Sequence, residues 1–154
     1  LRRGLFLNFF VKVAGNKALM ACVTAWLIAQ VLKIIFTFYS SKKLDLTRLV
    51  GSGGMPSSHT AFVMALSTSI GRMYGWDSPI FAVSLCFAFV VMYDAAGVRR
   101  AAGNQAKILN MIIEDLAHNK PITDQKLKEL IGHTPKEVMA GALLGIVVAN
   151  IMVR

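Results

Sequence analysis

A chain of 154 residues that is 55% hydrophobic and only 16% charged, with a mean hydropathy of +0.56, carries too little charge to cover a water-soluble domain. Its length suits one domain, 1–154, and leaves no room for a second core. The 17 Lys and Arg against 8 Asp and Glu, a formal net charge of +9, point to anionic lipid headgroups or a phosphate-bearing ligand, and in so apolar a chain argue against nucleic acid. Cys22 and Cys86 both lie in apolar stretches and read as small buried residues, not as a disulfide or metal pair.

Taken in chain order, residues 5–13 are apolar but too short to cross a bilayer. With Arg2, Arg3, Lys12 and Lys17 around them they predict an interfacial helix, and the lack of a small-residue cleavage site argues against a cleaved signal peptide. Residues 18–39 form a first span interrupted only by Gln30 and Lys33. After a loop over 40–59, residues 60–74 give a shorter span rich in small side chains. Residues 79–98 give the cleanest span, with Asp94 near its end. From 99 to 119 the texture becomes amphipathic. Ile108, Leu109, Ile112, Ile113 and Leu116 share one helical face, and Asn104, Lys107, Asn110, Glu114 and Asp115 line much of the rest. Pro121 stops that helix, and a short one over 124–131 runs to Gly132, which predicts an extramembrane hairpin lying on the bundle. The last span, 135–153, is charged only at Lys136 and Glu137, and its Gly141-x-x-x-Gly145 is a close-packing signature. The fold expected is an all-α integral membrane bundle of about four transmembrane helices with interfacial and extramembrane helices.

Alternating spans put Lys33, the 40–59 loop, Asp94, Arg99, Arg100 and His133 on one side of the membrane. Charge inside a span is costly, so these residues are functional candidates and should line one cavity at the membrane–water boundary. Counting Lys and Arg gives ten on that side against six on the other, which favours a cytoplasm-like location for the polar mouth.

Two local patterns carry chemistry. Gly51-Ser-Gly-Gly-Met-Pro-Ser-Ser-His59 opens straight into a helix. Glycines such as Gly54 let backbone approach a ligand, Pro56 suits a first helical turn, and the N–H groups of Ser57, Ser58 and His59 would face an anion. The bland reading is a flexible loop with a capped helix. In His133-Thr-Pro-Lys-Glu137, Thr134 and Glu137 have capping-box spacing with Pro135 at the first helical position. The same spacing lets Glu137 orient His133. A histidine so held can attack phosphorus while a second protonates the leaving oxygen, with basic side chains neutralising the transferring group. His118 lacks such company and reads as a solvated helix-end residue.

Pro56-Ser57-Ser58-His59 resembles the Pro-Ser-Gly-His element of the type-2 phosphatidic acid phosphatase and vanadium haloperoxidase superfamily. His133-x-x-x-Glu137-Val-x-x-Gly141 resembles its final His-x-x-x-Asp element, and Lys33 matches the lysine of the first element. The order of Ala29-Gln30…Lys33, the Gly-Gly-Met-Pro-Ser-Ser-His loop and Tyr93-Asp-Ala-Ala-Gly-Val-Arg-Arg is similar to the divergent branch of that family, over roughly residues 18–145. The resemblance implies metal-independent phosphomonoester hydrolysis through a phosphohistidine. His133 would be nucleophile, Glu137 its orienting acid and His59 the general acid. Lys33, Gly54, Ser57, Ser58, Arg99 and Arg100 would hold phosphate, with Arg48 and Asp94 in support. The chain departs from the family pattern at Ser58, at Glu137, at Arg48-Leu49, and at Leu127, where the family carries an arginine. Arg99 or Arg100, and less directly Lys126, are the candidates to supply that charge.

The function expected is hydrolysis of a lipid or isoprenoid phosphate monoester by an integral membrane protein, in contact with membrane lipids. The alternative is a non-catalytic membrane protein that binds a phosphorylated lipid or scaffolds other proteins. No cluster shows metal-ligand spacing, so no metal and no cofactor are expected. A soluble oxidative enzyme is excluded by composition, and a channel built from so few spans would need oligomerisation.

Overall fold

The computed structural model describes residues 2–42, 54–117 and 132–154, and its elements are all helices. They are α1 (Arg2–Ala14), α2 (Lys17–Ser41), α3 (Ser58–Tyr74), α4 (Pro79–Ala96), α5 (Val98–Ala117) and α6 (Pro135–Met152). Arg48, His118, Lys126, Leu127 and the short helix expected over 124–131 lie outside the described residues.

Local chemistry fixes where the helices begin. Asn16 accepts from the Leu19 N–H at 3.1 Å to start α2, and Ser57 and Ser78 accept from Thr60 and Phe81 to start α3 and α4. Thr134 and Glu137 close the expected capping box on α6, with Pro135 at its first position. The cap at Ser57 places Pro56 ahead of α3, not in its first turn. The third apolar stretch is likewise shorter than its hydropathy indicates, because Gly97 caps α4 and a new helix starts at Val98.

The protein is an integral membrane protein. Lys17–Tyr39, Pro79–Glu114 and Pro135–Met152 are each long and apolar enough to cross a bilayer. α3 has 17 residues, about 25 Å of helix, and it is the element that packs against α2, α4 and α6. It can occupy that place because much of it is small and buried: Ser58, Thr60, Ala61, Ala65, Ser67, Ser69 and Gly71. The core where α2, α3 and α6 meet is built from Cys22, Ala25, Ala29, Ala61, Ala65, Val148 and Ala149. The larger apolar side chains, among them Trp26, Phe36, Phe87, Phe89, Leu143 and Ile151, point outward, as they must when the surrounding solvent is hydrocarbon. Cys86, expected to be buried, is exposed with them on α4, whereas Cys22 is buried as expected.

The Gly141-x-x-x-Gly145 signature has a direct cause. A Cβ on Gly141 would lie 2.3 Å from the Ser57 carbonyl oxygen, and one on Gly145 would lie 2.4 Å from that of Ala61. α6 therefore rests on the backbone of α3. α5 departs from expectation, since among the described elements it touches α4 alone. It leaves the bundle after Gly97, so Ile108, Leu109, Ile112, Ile113 and Leu116 stay exposed and do not cover the bundle.

Candidate functional site

The site is assembled where α3 and α6 begin. α6 places its first-turn backbone beneath the start of α3, and the Ser57 N–H donates to the Glu137 carbonyl oxygen at 2.9 Å. That bond removes Ser57 from the amides expected to face an anion. Ser58 and His59, the first two residues of α3, precede its first closed turn, which the Ala61 N–H makes with the Ser57 carbonyl at 3.0 Å. Thr60 Oγ1 donates to Ser57 Oγ at 3.0 Å, holding that hydroxyl in place.

Lys33 comes to the same point from α2. Its side chain is 2% exposed, and Nζ donates to Ser58 Oγ at 3.1 Å. Gly54 passes over the lysine stem at a φ of 85°, a left-handed conformation that favours glycine. A Cβ there would lie 3.9 Å from Lys33 Cγ.

His133 is 3% exposed and is fixed from both sides. Its backbone N–H donates to the Ala95 carbonyl at the end of α4, at 2.9 Å. Its Nδ1 lies 3.2 Å from Glu137 Oε2, which also accepts from the Thr134 N–H at 2.8 Å. One carboxylate thus caps α6 and orients the imidazole. Nε2 is buried and has no hydrogen-bond partner among the described residues. Burial pushes the His133 pKa below its ordinary value of 6.5. The hydrogen bond to Glu137 opposes that shift, the charges of Lys33 and His59 deepen it, and the charge of Glu137 offsets them. A neutral imidazole at pH 7 follows, with Nε2 as the free nitrogen whenever Nδ1–H donates to Glu137.

His59 is exposed and feels the charges of Arg99, Lys33 and Asp94. Arg99 pairs through Nε with Asp94, and both side chains stay partly exposed. Of the two arginines, Arg99 faces His59. Arg100 is exposed, and its backbone lies under Gly132, where a Cβ would come within 2.5 Å of the Arg100 nitrogen. Sequence reasoning treated Gly132 only as a helix stop; its φ of 133° and this close approach seat His133 beside Ala95. A cavity of about 390 Å³ lined by Trp26, His59, Phe62, Val63, Phe87, Val91 and Arg99 adjoins the site. Among the described residues no group of His, Cys, Asp and Glu is placed to hold a metal ion.

The family model described as the divergent PAP2 family matches residues 14–148, which takes in each of these residues. The chain belongs to the divergent PAP2 family. It is 41% identical over 155 residues to the membrane protein YuiD of Bacillus subtilis (strain 168), covering 92% of this chain and 97% of the relative. No solved structure matches the chain. This divergent PAP2 protein brings His59, His133, Lys33 and Glu137 together where α3 and α6 begin.

The dual role of Glu137 gives a first expected result. Glu137→Gln retains an oxygen that accepts from the Thr134 N–H but removes the charge and the carboxylate hydrogen bond that raise the His133 pKa. The imidazole should titrate at lower pH in the variant, read by NMR of the labelled histidine. Glu137→Ala also removes the side-chain half of the capping box while Thr134 still caps α6, and should cost about 0.5–1 kcal/mol of stability.

Proposed function

We propose that this divergent PAP2 protein is a membrane phosphatase that hydrolyses a lipid or isoprenoid phosphate monoester through a phosphohistidine. The observation that carries the reading is the buried His133, anchored at Nδ1 by Glu137 with Nε2 left without a partner beside Lys33 and His59. Nε2 attacks phosphorus, the bond to the ester oxygen breaks, and His59 gives that oxygen its proton. The alcohol leaves. Water, losing a proton to His59, then attacks the phosphohistidine and releases inorganic phosphate with His133 restored. Lys33, Ser57, Ser58, Arg99 and the first amides of α3 hold the phosphoryl oxygens and neutralise their charge. The apolar cavity beside His59 and Arg99 accommodates the hydrocarbon next to the phosphate.

The test is phosphate release from a long-chain phosphate monoester by the purified protein in lipid vesicles. Release should survive a chelator and be blocked by vanadate. Activity lost in chelator and restored by a divalent ion would overturn the scheme. Vanadate binding without any release would favour the alternative of a non-catalytic binding protein.

The pH profile follows from His133. Only the neutral imidazole attacks, and its pKa in the folded protein lies below 6.5. Therefore the acid limb of kcat/KM that reports loss of the neutral nucleophile should lie below pH 6.5. An acid limb centred above 6.5 would contradict His133 as nucleophile.

A further inference from the structure

The opposite end of the bundle carries a second concavity. A groove of about 1010 Å³ lies where α2 begins, α3 ends and α6 ends, away from the starts of α3 and α6 that hold the histidines. Its basic lining residues are Lys12, Lys17, Arg72 and Arg154, and no acidic side chain lines it among the described residues. Lys12 and Lys17 are exposed and make no ion pair among the described residues. Arg72 is fixed: Nε donates to the Val153 carbonyl and a terminal nitrogen to Asn150 Oδ1, each at 2.6 Å. Those bonds use two of the five guanidinium N–H donors.

Below this rim the lining turns apolar, through Ile70 and Leu66 to Phe62 on one face of α3. From Arg72 to Phe62 is about 15 Å of helix. α2 and α4 both pack on α3 but not on each other, so this face of α3 lies at the floor of a furrow between them. Cations at the level of the helix ends above an apolar furrow match one chemistry: an anionic head joined to a hydrocarbon chain. A zwitterionic head would bring its ammonium group among four cations.

We propose that this groove binds an anionic phospholipid, with its phosphodiester between Lys12, Lys17 and Arg72 and one acyl chain along α3 towards Phe62. The headgroup end of the site lies away from the histidines, and only Phe62, at the far end of the acyl furrow, is shared with the cavity beside His59, so the proposal stands whether or not the histidines hydrolyse phosphate.

The experiment equilibrates the purified protein with equal amounts of phosphatidylglycerol and phosphatidylcholine and counts each bound lipid by native mass spectrometry. Phosphatidylglycerol should be enriched by about tenfold or more, and Lys12→Gln/Lys17→Gln should remove most of that preference. Both lysines are exposed, so circular dichroism should show an unchanged helical fold. The chain-free headgroup, glycerophosphoglycerol, should fail to compete, because the furrow supplies part of the affinity. Equal retention of the two lipids, an enrichment unchanged in a folded double variant, or full competition by the free headgroup would each overturn the proposal.

Discussion

His133→Asn is expected to lower phosphate release by at least about 10³-fold while the protein keeps its fold. Asparagine places a polar atom near the position of Nδ1, so the contact with Glu137 Oε2 at 3.2 Å has a substitute. Nothing in asparagine replaces Nε2. If that nitrogen is the nucleophile, the variant forms no covalent intermediate, and an acid-labile phosphohistidine trapped in the parent should be absent from it. A variant that releases phosphate at the parent rate would remove His133 from the reaction. His59→Ala gives the complementary result, because loss of the proton donor slows the first step less when the leaving alcohol is already acidic. A nitrophenyl phosphate should therefore lose less activity in that variant than an alkyl phosphate.

The second large effect is structural. Gly141→Ala puts a methyl group 2.3 Å from the Ser57 carbonyl oxygen, which is backbone and cannot swing aside. α3 and α6 must separate, at a cost of about 2–3 kcal/mol. The same movement breaks the bond from the Ser57 N–H to the Glu137 carbonyl, so activity should fall together with stability. Leu143→Ala on the outward face of α6 is the control and should stay within about 0.5 kcal/mol. Thermal unfolding in detergent, run beside the activity assay, checks both. A Gly141→Ala protein as stable as the parent would mean that α6 does not rest on α3 in this way.

How far these features were legible in the sequence depends on how local their causes are. The capping box of Thr134 and Glu137 and its link to His133 were readable because residues three and four apart share a helical face. Lys33 and Ser58 were expected in one cavity, and the resemblance put both on phosphate, but their direct hydrogen bond was not foreseen. Their meeting requires α2 and α3 to pack in one register, which small residues such as Ala25, Ala29, Ala61 and Ala65 set collectively. Arg99 and Arg100 were equivalent in sequence. On α5, which starts after Gly97, successive side chains point about 100° apart, and Arg99 is the one that pairs with Asp94 and faces His59. The placement of α5 was misjudged for the opposite reason. An apolar helical face shows that a helix seeks hydrocarbon, but not whether protein or lipid supplies it.

Under the proposed function, the different lengths of α2 and α3 set the depth to which a phosphate must travel. α2 continues for more than two turns beyond Lys33, about 12 Å, and carries Ile35, Phe36, Phe38 and Tyr39 exposed along that extension. α3 starts level with Lys33 and has no such extension. One wall of the site is therefore taller than its floor, and the lysine lies about 12 Å short of the end of α2. At about 25 Å, α3 is shorter than a hydrocarbon layer of about 30 Å. α2, α4 and α6 pack around α3, so its shortness is met by protein and not by lipid, and its start is recessed below the end of α2. A phosphate bound at Lys33 as proposed must descend along that extension, so membrane thickness becomes a variable of the reaction: thinner bilayers should shorten the descent and thicker ones lengthen it.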